Sequence, residues 1–163
     1  MIRRKLLLFF CSVLLLNCGE NLAQTSQDVI ILNEYSATNI TGPTDNFGAH
    51  SDWVEIRCAH TASVSMSNYY LSNDRNNLNK WKFPTGFVMQ PNDIKTVWLT
   101  GKNISSLTNP HANFTLDQCG DQWLIISENG VIRDSVVVQV TKADHTRGRI
   151  NPQIRGIGAW RLY

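Results

Sequence analysis

Cysteine is scarce in this chain: four residues in 163, and two of them, Cys11 and Cys18, lie in an N-terminal apolar stretch. That leaves Cys58 and Cys119, enough for one bridge at most, which excludes a disulfide-framed miniprotein or a thiolate metal centre. Cys58 falls on the apolar side of an alternating stretch, while Cys119 sits in the turn-like Asp117-Gln118-Cys119-Gly120-Asp121. Both outcomes, two free thiols or a disulfide worth about 4 kcal/mol on the chain-entropy model, stay open on this pattern. Long hydrophobic runs are also missing, since Leu6 to Leu16 is too short to cross a bilayer as a helix. Sustained helical periodicity is absent beyond residue 29, which argues against bundles and coiled coils.

A surplus of one charge is lacking too. Lys and Arg total 15 against 13 Asp and Glu, and the surplus comes from Arg3, Arg4 and Lys5 at the extreme N-terminus. Without residues 1–23 the two signs are equal in number. A neutral chain with no basic run offers no electrostatic footprint to nucleic acid or to an anionic membrane.

Catalytic signatures are missing in the same way. His50, His60, His111 and His145 stand in no HExxH or paired zinc spacing, no serine sits in G-x-S-x-G, and Gly156-Ile157-Gly158 follows no strand-to-helix pattern. The expectation is a protein that is not an enzyme, with no catalytic residues, no cofactor and no metal ligands. His145 reads as a turn or surface histidine.

What is present begins with a targeting signal. Arg3-Arg4-Lys5 followed by Leu6 to Leu16 has the order and length of an export signal, so residues 1–23 are assigned to it and residues 24–163 to one domain. Two processing routes remain open. Cleavage after Ala23 would leave a soluble chain starting at Gln24. Alternatively, Leu15-Leu16-Asn17-Cys18 resembles a lipobox, which would make Cys18 a lipidated N-terminus and is the one route to a membrane.

From Val29 onward the chain reads as short strands between polar turns. Asp52 to Cys58 alternates, with Val54, Ile56 and Cys58 facing a core and Trp53, Glu55 and Arg57 facing away. Further strands are expected at Val29–Leu32, Val64–Met66, Tyr69–Ser72, Trp81–Phe83, Ile94–Leu99, Asn113–Leu116 and Trp123–Ser127. Asn129-Gly130 between Trp123–Ile126 and Val131–Val138 is a strong hairpin signal, because both residues tolerate positive φ. Eight or nine short antiparallel strands predict an all-β sandwich. The sequons at Asn39, Asn103 and Asn113 are read as markers of surface loops.

Several stretches together resemble the lamin tail domain, an immunoglobulin-like β-sandwich, in its secreted bacterial branch. They are Val29-Ile30-Ile31-Leu32-Asn33-Glu34-Tyr35, Asp45-Asn46-Phe47-Gly48, Asp52-Trp53-Val54-Glu55-Ile56, Tyr70-Leu71-Ser72-Asn73-Asp74, Lys80-Trp81-Lys82-Phe83-Pro84 and Asp144-His145-Thr146-Arg147-Gly148-Arg149. The resemblance spans about residues 29 to 149. It implies a family-like structural polar network at Asn33, Glu34, Asp52, Glu55, Asp144, Arg147 and Arg149, in which Arg57, Arg147 and Arg149 would pair with the carboxylates. Trp160 and Tyr163 would open a final strand left incomplete, so that the chain belongs to a larger parent protein or completes its edge by association.

The function that follows is a non-catalytic, exported interaction or adhesion module at the bacterial cell surface, with an unknown protein or glycan partner. Trp53 with Tyr69 or Tyr70 is the expected aromatic contact. The alternative is a carbohydrate- or calcium-binding accessory domain of a secreted degradative system, on the strength of the aromatics and the Asp/Asn-rich loops.

Overall fold

Alternation at Asp52 to Cys58 and the apolar run at the start of the domain dictate where the core lies, and the computed structural model, described here for residues 30–151 and 160–163, follows them. Twelve strands form among the described residues: β1 (Ile30–Ser36), β2 (Asp52–Cys58), β3 (Val64–Ser65), β4 (Tyr69–Ser72), β5 (Trp81–Lys82), β6 (Val88–Met89), β7 (Ile94–Leu99), β8 (His111–Ala112), β9 (Trp123–Glu128), β10 (Val131–Val137), β11 (Arg147–Arg149) and β12 (Trp160–Leu162). They exceed the eight or nine expected because β6 and β8, pairings of only two residues, and the three-residue β11 and β12 add to them; β3 and β5 fall at the expected Val64–Met66 and Trp81–Phe83. The export signal, Cys18 and Gln24 lie outside the described residues.

Two sheets make the sandwich. One runs β12-β11-β1-β2-β7-β8 and the other β10-β9-β4-β5, with β3 and β6 as a separate ladder. All pairings are antiparallel except β7 with β8. Between the sheets lie Ile30, Leu32, Tyr35, Val54, Ile56, Cys58, Leu71, Trp81, Phe83, Val97, Leu124 and Ile126, all buried. Asn129 and Gly130 both take positive φ in the β9–β10 turn, the conformation that closes a tight hairpin in step with strand twist.

Two β-bulges decide which side chains reach the interior. One interrupts the β1–β2 register between Leu32 and Glu34, and the other interrupts β9–β10 between Ile132 and Asp134. The second turns Asp134 inward, as bulges re-aim side chains. There its carboxylate accepts the Leu32 N–H at 2.9 Å and meets Arg149 Nη2 at 2.6 Å, while Arg149 Nε donates to the Leu32 carbonyl at 3.0 Å. The β1–β11 ladder registers only Glu34 and Tyr35, so these two side chains satisfy backbone groups of Leu32 that the ladder does not reach. The Asp134–Arg149 pair thus clasps β10 of one sheet to β1 and β11 of the other.

Asn113–Leu116 is not a strand, a correction to the expectation. The ladder there is His111–Ala112 against β7, and further on the chain is held by single contacts: Asn113 Nδ2 to the Lys80 carbonyl at 2.8 Å and the Leu116 N–H to Asp52 Oδ2 at 3.2 Å. Cys58 is buried at the end of β2, Cys119 is exposed in its turn, and both are free, so the disulfide outcome is not the one adopted. Trp160–Leu162 pairs with β11 as the edge strand, Arg147 opposite Leu162 and Arg149 opposite Trp160. A Cβ on Gly148 between them would lie 2.9 Å from the ring of exposed Tyr163, which would have to swing aside.

Candidate functional site

The expected polar network divides into separate contacts. Asn33, the extra residue of the β1 bulge, donates its amide to Glu55 Oε2 at 2.9 Å, and Glu34, opposite Glu55 in register, accepts Thr146 Oγ1 at 2.5 Å. Burial pushes the Glu55 carboxyl up; the Asn33 amide partly offsets this and the Glu34 charge adds to it. Asp52 is pushed up to about 6 by burial, which its bond from the Leu116 N–H only partly offsets. Asp144 lies on the surface, where the Thr41 N–H and hydroxyl and the Ile40 N–H hold its carboxyl down to about 2. None of Glu34, Asp52, Glu55 or Asp144 forms an ion pair among the described residues; Arg149 pairs instead with Asp134, a partner the sequence did not single out.

The expected aromatic contact does not form. Trp53 is only 8% exposed and Tyr69 only 4%, so neither offers a ring to a partner, and half-buried Tyr70 belongs to the other sheet from Trp53. Among the sequons, Asn39 is a buried anchor: its amide donates to the Pro43 carbonyl at 2.7 Å and the Ser51 carbonyl at 2.9 Å, tying down both arms of the Thr38–Ser51 loop.

That loop is further fixed at the β8 edge of the six-stranded sheet. Asp45 accepts the Phe47 and Ala49 N–H groups at 2.9 and 3.0 Å and the Ser51 hydroxyl at 3.0 Å, and Lys102 Nζ lies 3.5 Å away. Burial pushes the Asp45 carboxyl up, but these donors outweigh it and hold it down to about 2. Fully buried His111 contacts Asn46 Oδ1 through Nε2 at 2.7 Å and Thr100 Oγ1 through Nδ1 at 3.1 Å. Burial pushes its pKa down, favouring the neutral ring.

At the opposite edge the two sheets part. Beyond the Asp134–Arg149 clasp, a cleft of about 400 Å³ opens between β10 and β12, lined by Tyr35, Trp123, Ser135–Val137, Gln139, Arg147 and Trp160. The Tyr35 and Trp160 rings pack at 5.5 Å and 52°. Trp123 registers opposite Val137, with the Arg75 guanidinium 4.0 Å from its ring centroid. The Tyr35 oxygen accepts the Gln139 N–H at 3.1 Å. Burial pushes the Tyr35 pKa up, so the phenol keeps its proton at neutral pH. Arg147 Nε is shielded from solvent and has no hydrogen-bond partner among the described residues. Sequence reasoning placed Arg147 in a polar network and Trp160 in a last strand without joining them; the run Val136-Val137-Val138 at the end of the hairpin was the one signal for an apolar wall there.

A shallower polar depression at another part of the surface is lined by Asn73, Lys80, Asn113, Gln118 and Gln122 among others. Asn73 Oδ1 accepts Lys80 Nζ at 2.6 Å, and Gln122 Oε1 accepts the Asp117 N–H at 2.9 Å. No group of three or more His, Cys, Asp and Glu side chains gathers to hold a metal among the described residues.

A two-sheet sandwich of mainly antiparallel strands in this order defines an immunoglobulin-like domain. The family model of the Lamin Tail Domain matches residues 23–140, and the chain belongs to that family. The family as a whole has a non-enzymatic immunoglobulin-like fold and is generally involved in protein interactions. No curated protein matches the chain. The matched residues stop short of β11 and β12, so Arg147 and Trp160 lie beyond them.

Proposed function

We propose that this protein is an exported, non-catalytic interaction module that docks a protein partner at the bacterial cell surface through the cleft between β10 and β12. The observation that carries the reading is the cleft itself: two tryptophans, a tyrosine and an arginine whose Nε has no hydrogen-bond partner among the described residues, at an open sandwich edge, the mix of aromatic and arginine side chains that concentrates binding energy at interfaces. The basic-then-apolar N-terminus supports export, either as a soluble chain from Gln24 or as a lipoprotein tethered through Cys18. Mass spectrometry of the mature N-terminus distinguishes a diffusible module from a tethered one.

The docking site is tested by replacing Gln139, at the rim of the cleft, with a photo-crosslinking amino acid in the native host. A discrete protein adduct that disappears with Val137→Arg is the expected outcome. No adduct, or one indifferent to Val137→Arg, overturns the reading. The amide-lined depression around Asn73, Asn113 and Gln122 favours a second reading, in which the domain contacts glycans as an accessory to a degradative system. A flat response on a glycan array removes it.

A further inference from the structure

We infer that the cleft recognises an extended protein segment pairing a carboxylate side chain with a neighbouring large apolar one, the carboxylate meeting the Arg147 guanidinium and the apolar group lying against Trp160 and Trp123. The inference rests on the interaction reading above and names the chemistry of its ligand.

Arg147 differs from the arginines near it. Arg149 has Asp134 and the Leu32 carbonyl, and Arg133 has Glu128 at 2.7 Å, whereas Arg147 Nε is shielded from water with no acceptor among the described residues. Nε itself is closed to solvent, but the half-buried guanidinium lines the cleft with no ion-pair partner among the described residues, so an anion that reaches its terminal nitrogens forms a charge-assisted bond. A carboxylate presents two oxygens to such a fork.

The remaining lining selects what the carboxylate is attached to. Val136, Val137, Trp123 and Trp160 offer aromatic and aliphatic surface, where an apolar group displaces water and strengthens the neighbouring electrostatic contact. A polypeptide fits better than a free small acid, because Ser135–Val137 line the cleft and belong to the outermost strand of the four-stranded sheet. An extended segment can add main-chain hydrogen bonds to such an edge while its side chains enter the cleft.

The test is selection of a displayed library of random linear peptides on the full chain. The enriched peptides are then titrated by fluorescence anisotropy against wild type, Arg147→Gln, Tyr35→Phe and Val137→Arg, each checked for folding by circular dichroism. Enriched sequences are expected to join Asp or Glu to an adjacent aromatic or aliphatic residue. Arg147→Gln should weaken them about ten- to a hundredfold, the range for a lost charge-assisted hydrogen bond. Tyr35→Phe, at a fully buried ring, should leave them within about twofold, and Val137→Arg should abolish binding. Peptides that enrich without an acid, or that tolerate Arg147→Gln while failing on Val137→Arg, overturn the carboxylate inference and leave the interaction reading standing. Peptides indifferent to Val137→Arg, a homodimer closed through this cleft, or a library from which nothing enriches overturn both.

Discussion

The two edges of the six-stranded sheet are built on opposite principles. At β8, an irregular loop is held by polar side chains that all find partners: Asp45 takes three donors besides Lys102, and His111 uses both ring nitrogens. At β12, regular strands border a cleft where the Arg147 Nε finds none among the described residues. Irregular backbone therefore marks the settled edge of this molecule and regular backbone the receptive one. Satisfied polar groups spend their bonding capacity on the fold, and unsatisfied ones keep it for a ligand.

Substitutions can break or sharpen that contrast. The largest effect is expected at the clasp that bounds the cleft. Arg149→Met leaves Asp134 buried without its cation and the Leu32 carbonyl without its donor, so chemical denaturation should report a loss of about 3–5 kcal/mol. At the settled edge, Asp45→Ala strips the loop of its organising acceptor, and the same measurement should show about 2–3 kcal/mol lost. The Asp45 carboxyl titrates at about 2 when folded, below its ordinary 3.8. Its contribution is therefore present above about pH 4 and lost as pH falls through 2, and Asp45→Ala should flatten that part of a stability–pH profile.

Asp52 carries the opposite sign. Its folded pKa of about 6 lies above the ordinary value, so its stabilising share is present below about pH 4 and disappears as pH rises through 6. At neutral pH the buried charge is a cost, and Asp52→Asn, whose carbonyl can still accept the Leu116 N–H, should stabilise by about 1–3 kcal/mol. That gain should vanish in acid. The smallest effect on stability is expected at the receptive edge: Arg147→Gln should shift unfolding by less than about 0.5 kcal/mol while weakening ligand binding. A large stability loss at Arg147 would show that it serves the fold, and the contrast between the edges would fail.

Much of the sandwich was legible because its longer strands carry their own signals. Tyr69–Ser72 and Ile94–Leu99 appear as read from the sequence, and Asn129-Gly130 closes the hairpin its chemistry demands. Of the two-residue ladders, β3 and β5 fall within the expected Val64–Met66 and Trp81–Phe83, while β6 and β8 were not legible, since so short a pairing has no period to detect. Asn113–Leu116 misled because Phe114 and Leu116 alternate like strand residues and are indeed buried, while the backbone makes only scattered bonds, to the Gly101 N–H, the Asn73 amide and the Asp52 carboxylate, instead of a ladder. The site was harder still. Partner choice for Arg149 depends on a bulge that rotates Asp134 inward from another sheet, and neither the rotation nor the sheet order is written in local spacing. Trp53 looked available because it shares a face with Glu55 and Arg57, yet that face is largely covered at Trp53.

Gly148 ties these threads to the end of the chain. The ring of exposed Tyr163 lies over the space where any other residue would carry its first carbon, so a side chain there would have to push that ring aside. The β11–β12 ladder beneath it brings Trp160 to the cleft and sets it beside Tyr35. A single hydrogen atom on β11 thereby lets an aromatic ring fold back over its own ladder: whatever enlarges it turns Tyr163 out to water, while the pairing that carries Trp160 keeps its register.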